Sequence, residues 1–111
     1  METVTEQFER EIGLLYTHVC GGLGNPNRIL ILYLLADHPR NVTELTAALR
    51  VTQPTVSSHL KILRDCDLVM AKREGTSVYY SLADPRIIEA LDILRTILAD
   101  LLTRQANLFS R

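Results

Sequence analysis

The chain of 111 residues has the length of one domain, residues 1–111, and leaves no room for a second. With 47% apolar and 23% charged residues its composition is globular, which excludes a disordered chain. Twelve Lys and Arg against thirteen Asp and Glu give a formal charge of −1, which excludes polybasic nucleic-acid binding by the whole chain but leaves room for a local basic patch.

The first predicted element is a helix from about Val4 to Val19. Val4, Phe8, Ile12, Leu15 and Val19 follow one another at helical spacing with polar residues between them. The run Cys20-Gly21-Gly22-Leu23-Gly24 is a strong breaker and is read as its stop. Asn25-Pro26 opens a second helix, with Asn as cap and Pro at the first helical position, where no N–H is needed. It runs to about Ala36 and is apolar on most sides, which marks a central helix. Asn41, three residues before Glu44, resembles a capping box for a short third helix whose inner face is Leu45, Ala48 and Leu49. Thr52 caps a fourth helix that tolerates Pro54 in its first turn, and Val56, Leu60 and Leu63 form a narrow buried stripe on it.

From Leu68 the periodicity changes. LVMAKR and SVYYSL flank Glu74-Gly75-Thr76 and predict a β-hairpin. Asp84-Pro85 opens a last helix reaching about Leu108, with Ile87, Leu91, Leu94, Leu98 and Leu101 as a heptad seam. The fold class expected is mainly α with a small β-hairpin, in the order α-α-α-α-β-β-α: a helix-turn-helix followed by a wing. One core of this size is marginal, so the apolar faces of the first and last helices are expected to be covered by dimerisation.

The outer face of the fourth helix suits DNA. Gln53, Ser57, Ser58 and Lys61 point away from the buried stripe and Thr55 sits on its shoulder. Gln pairs with adenine, Ser and Thr bond to bases or phosphates, and Thr carries a methyl for thymine. Lys61 and Arg64 are read as phosphate contacts, and Lys72, Arg73 and Thr76 cluster at the hairpin tip. Residues 39–73 hold six basic residues (Arg40, Arg50, Lys61, Arg64, Lys72, Arg73) and three acidic ones (Glu44, Asp65, Asp67), so the basic excess falls on this stretch. A polar helix face alone would be an ordinary solvated surface. The face, the turn and the basic hairpin tip in series favour DNA.

Three stretches carry a family resemblance: Asn25 to Leu32, Val51 to Leu63 (VTQPTVSSHLKIL) and Arg73 to Leu82 (REGTSVYYSL). In this order and spacing, over roughly residues 8 to 105, the chain resembles the ArsR/SmtB family of winged-helix repressors. The resemblance implies a homodimer built on the first and last helices that binds a palindromic operator, double-stranded DNA, and lets go when an effector binds. Two residues depart from the family pattern. Arg50 stands in the turn where Gly is usual, a position where a non-Gly residue carries modest strain, and Thr46 stands where Ala is usual.

The familiar metal patterns of the family do not match. No Cys lies within Thr43 to Leu49, and from Asp84 onward there is no His. The persulfide-sensing pair fails by position, since neither the second nor the last helix has Cys. No metal or other cofactor is therefore expected, although a thiol-bound metalloid stays open. Cys20 and Cys66 remain as sensor candidates, beside the alternative that both are small half-buried hydrophobes. His18, His38 and His59 do not group with them as ligands.

No phosphate-cradling loop follows a strand, and HExxH, GxSxG and CxxC are missing, so an enzyme is not expected. The amino-terminal stretch is acidic and polar, unlike a secretory signal, and the longest apolar run is Ile29 to Ala36. A cytoplasmic chain with reduced thiols and no membrane partner follows. The function expected is a dimeric DNA-binding repressor. The rival from another class is a winged helix used only for dimerisation or protein association, without specific DNA binding.

Overall fold

The computed structural model describes residues 1–109. Helix α1 (Val4–Leu15) begins at a capping box, in which the Thr3 hydroxyl accepts from the Glu6 N–H (3.1 Å) and the Glu6 carboxylate from the Thr3 N–H (3.3 Å). Beyond Leu15 the helix widens into a π turn over Tyr16–Cys20, closed by the Gly21 N–H donating to the Tyr16 carbonyl. The Thr17 hydroxyl donates to the carbonyls of Gly13 (3.1 Å) and Leu14 (3.3 Å), a back-bond of the kind that loosens a helix here. The chain stays helical through Gly22, so the glycine run stops the helix later than its composition suggests. Packing accounts for this: a Cβ on Gly22 would lie 2.6 Å from Leu68 Cδ1, so only Gly lets this end of the helix approach so closely.

Helix α2 (Pro26–Leu34) has the expected cap, with Asn25 Oδ1 accepting from the Asn27 N–H at 2.8 Å, and it ends in turns rather than reaching Ala36. It is not buried all round. Ile31 and Leu32, with Leu35 at its end, are buried, whereas Leu30 is exposed. Strand β1 (Arg40–Asn41) follows, then α3 (Val42–Leu49), α4 (Gln53–Asp65), β2 (Val69–Glu74), β3 (Ser77–Leu82) and α5 (Arg86–Phe109). The sheet is antiparallel in the order β1-β3-β2, with Arg40 opposite Tyr80 and Val69 opposite Leu82. The hairpin is thus joined by one short strand that two residues of sequence could not announce. Gly75, at φ +63°, makes the tight turn between β2 and β3.

The core joins α2 (Ile31, Leu32), Leu35, α3 (Leu45), α4 (Val56, Leu60, Leu63), Leu68 and Val69 beside β2, and α5 (Leu91). Of the expected inner face of α3, Leu45 and Leu49 pack inward and Ala48 is exposed; Val42 joins them in its place. Two further ties hold α2. The Tyr33 hydroxyl donates to Asp92 of α5 at 2.6 Å under the Arg95 guanidinium, 5.3 Å above the ring centre. On its other side Arg28 donates to the Gly22 carbonyl (2.8 Å) and the Gly21 carbonyl (3.4 Å), and to His59 Nδ1 of α4 (3.3 Å). Arg is a donor only, so His59 presents an unprotonated Nδ1.

Two non-glycine residues are left-handed. Asp67 (φ 58°) ends α4 in a Schellman motif: the Leu68 N–H donates to the Leu63 carbonyl and the Asp67 N–H to the Arg64 carbonyl, both at 2.9 Å. Arg50 (φ 59°, ψ 37°) ends α3, as the departure from glycine in the turn implied. Thr46, the other departure, has a buried hydroxyl without a hydrogen-bond partner among the described residues.

Both departures are therefore costs. Arg50→Gly is expected to raise stability by about 0.5–1 kcal/mol, through relief of the left-handed side chain. Thr46→Ala is expected to be neutral to ~1 kcal/mol stabilising, since removing the orphan hydroxyl offsets the lost methyl. Thermal melts check both, and a lowered midpoint would contradict the assignment. His59 gives a third expectation. Its proton affinity is lowered, first by burial and then by the Arg28 charge. The unfolded chain then takes up the proton more readily, so the stability contributed by the neutral ring is full above the usual His range, about 6.5, and is lost as pH falls through it. Denaturant midpoints are expected to drop between about pH 7 and 5, and His59→Gln to flatten that drop.

Candidate nucleic-acid interface

The outward side of α4 follows from its inward side. With Val56, Leu60 and Leu63 fully buried, the helical period turns Gln53, Ser57, Ser58, Lys61 and Arg64 outward, and all five are exposed. Thr52 caps the helix, its hydroxyl accepting from the Thr55 N–H at 3.4 Å. Thr55 is half-buried, and its hydroxyl lies 2.7 Å from that of Thr52, so the two share a hydrogen bond. Either hydroxyl can be the donor, so Thr55 keeps its methyl and either two lone pairs or one lone pair and its O–H for an outside partner, less than an unpaired hydroxyl would offer.

The cations divide into two groups. Lys61 lies 3.2 Å from Asp65 one turn on, and Lys72 lies 4.0 Å from Glu74 on the same strand. Exposed pairs of this kind hold their partners weakly. The Lys61 to Asp65 spacing of four was legible as a pair in the sequence. Arg64 and Arg73 have no ion pair among the described residues.

A shallow cleft of about 360 Å³ runs between α4 and the sheet, lined by Ser57, Lys61, Arg64, Asp65 and Tyr80. It gathers three of the candidate residues and adds Tyr80; strand alternation predicts that of Tyr79 and Tyr80 one ring is in the core and the other is exposed or near DNA. Both Tyr79 and Tyr80 are half-buried, and Tyr80 packs against the core while lining the cleft. Its facing depends on the register of β3 between β1 and β2, which no local pattern encodes. Thr76 lines a second recess, of about 290 Å³, with Asn41, Thr43 and Tyr80 among its neighbours. Lys72 and Arg73 stand exposed on β2 beside the turn.

The two thiols lie apart from this face. Cys20 is exposed; Cys66, half-buried at the end of α4, points its sulfur at the Thr17 carbonyl 3.9 Å away. Neither is in a disulfide. Among the described residues no three or more His, Cys, Asp or Glu side chains come together. Among the described residues no helix is long and apolar enough to cross a membrane.

The family model described as "Bacterial regulatory protein, arsR family" matches residues 25–71, from the cap of α2 into β2. The probable mercury resistance operon repressor of Streptomyces lividans is 35% identical over 78 residues, 70% of this chain and 62% of that protein, so the chain spans less than two thirds of that repressor's length. The uncharacterized HTH-type transcriptional regulator Rv0081 of Mycobacterium tuberculosis is 38% identical over 82 residues, 73% of this chain and 72% of that protein. The crystal structure of Rv0081 superposes with a TM-score of 0.74, covering 90% of this chain and 96% of that one at 31% identity. The homodimeric winged helix-turn-helix DNA-binding domain of Mb0332 from Mycobacterium bovis gives a TM-score of 0.78 at 27% identity, covering 94% and 95% of the two chains. By its sequence, its element order and the winged shape that sets α4 against a hairpin, the chain belongs to the arsR family of bacterial regulatory proteins, which are helix-turn-helix transcriptional regulators.

Proposed function

We propose that residues 1–111 act as one winged helix-turn-helix unit, a homodimeric repressor that binds a palindromic operator and is released by an effector. The observation that carries this reading is the outward, uncharged and hydroxyl-bearing first half of α4 above a fully buried stripe. In it α4 enters the major groove. Gln53, Thr55, Ser57 and Ser58 are base-edge or near-base residues, Thr52 sits at the helix entry, and Lys61, Arg64, Lys72, Arg73 and Thr76 face the backbone. Tyr80 joins them from the floor of the cleft. The reading assigns no catalytic role and places the chain in the cytoplasm.

Apolar exposure on the terminal helices supports the dimer. Phe8 is 60% exposed, Leu94 55% and Leu98 53%, and Ile12, Leu101 and Leu108 are exposed with them. Covering such faces is the stabilisation that one small core lacks. The homodimeric state of the Mb0332 domain agrees with this.

Two experiments test the reading. Titration with a duplex from the protein's own promoter at two salt concentrations should show tighter binding than to a random duplex. Lys61→Ala should weaken binding to every sequence and lower the salt slope by about one, while Gln53→Ala and Ser57→Ala change sequence preference. Equal weakening without altered preference contradicts the division of roles, and no discrimination from random DNA favours a protein-association module. Separately, Leu98→Glu should weaken self-association at least ~100-fold, because two copies of an unpaired charge enter the interface. Sedimentation would then report half the wild-type mass with helix content kept; a wild type that already sediments as a monomer sinks the dimer.

A further inference from the structure

The left-handed residue in the turn before α4 is the feature that fold and stability leave unexplained. Arg50 sits at φ 59° and ψ 37°, a conformation that glycine adopts freely and a long side chain does not. Its side chain contributes nothing visible to the chain's own stability. It is exposed, and it has no hydrogen bond or ion pair through its guanidinium among the described residues. Among the described residues its hydrogen bond is the backbone one, from its N–H to the Thr46 carbonyl at 3.0 Å. A strained residue with an unused cation is kept for something outside the chain more readily than for something inside it.

Position says what that is. Of the six cations in residues 39–73, Arg40, Lys61 and Lys72 are in ion pairs, and Arg50, Arg64 and Arg73 are in none among the described residues. Arg64 lies in the last turn of α4, Arg73 on the wing, and Arg50 two residues before the Thr52 cap. The three unpaired guanidiniums therefore stand at the two ends of α4 and beside it. From Gln53 to Arg64 the helix rises roughly 17 Å, more than the ~12 Å width of a major groove. A recognition helix reads base edges with its first turns, so residues flanking those turns are the ones carried against the sugar-phosphate walls.

We propose that Arg50 is a DNA-contacting residue: its guanidinium binds a backbone phosphate at the entry of α4, on the wall opposite the one met by Arg64. This rests on the reading of α4 as the recognition helix. It gives the residue in the turn a role distinct from those of the residues on α4 and the wing, and it accounts for a charged side chain at a strained position.

The test uses the full chain and the own-promoter duplex, with a random duplex beside it. Arg50→Gly is expected to melt higher than wild type yet to bind about tenfold more weakly, with the salt slope lowered by about one. Arg50→Asn tolerates the same backbone without the charge and should bind like Arg50→Gly. Arg50→Lys should keep most of the affinity. If wild type discriminates the two duplexes and Arg50→Gly binds as wild type does, this contact is overturned while the recognition helix stands. If Arg50→Gly is weak and Arg50→Asn is normal, the backbone of the turn and not the charge sets affinity, which also overturns it. If wild type itself does not discriminate, the failure belongs to the reading of α4.

Discussion

Burial of three side chains on α4 is the constraint from which the rest follows. Val56, Leu60 and Leu63 are packed against Ile31, Leu32 and Leu45, and none can leave without opening the core. At 100° per residue, fixing that stripe fixes every other side chain of the helix in angle. The functional face is therefore a by-product of packing, and its orientation is as rigid as the core. The Schellman end at Asp67 and the Thr52 cap then fix the helix in length, and the sheet that follows sets Tyr80 against it.

The interface is built on a different economy from the core. The exposed residues of α4 make few bonds within the chain, and those they make are weak ones that a phosphate can displace, such as Lys61 with Asp65. The groups that do hold each other tightly lie behind the face. Arg28 joins the end of the first helical segment to α4 through His59, and Tyr33 joins α2 to α5 through Asp92. These contacts connect the exposed apolar helices at the two chain ends to the one that faces outward. A change in how the terminal helices sit would thus be felt at α4 through polar ties as well as through packing.

What could be read from the sequence was local. Asn25, Asn41 and Thr52 cap their helices within three residues of themselves, and the structure has all three bonds. The strain at Arg50 was legible only through the family resemblance, whose pattern has Gly in that turn. What was not legible depended on partners far along the chain. Strand β1 exists only because β3 comes beside it; two residues have no period. Ala48 and Leu30 lie on apolar stretches yet face outward, since which side of a short helix is buried depends on where its neighbours sit. The sharing of a hydrogen bond between Thr52 and Thr55 hides in an ordinary spacing of three, which is also the spacing of the cap itself.

The π turn at Tyr16–Cys20 has a consequence for how the amino-terminal arm relates to the body. A wide turn absorbs one residue more than an α turn, so the stripe before it and the residues after it are out of phase by one position, roughly 100° of rotation. Every residue of α1 is exposed, so the arm stands clear of the body on all its faces, while Leu23, a few residues later, packs into the core. The extra residue works as an angular spacer: a chain shortened by one residue there would keep its helix and its hydropathy yet point its arm in another direction.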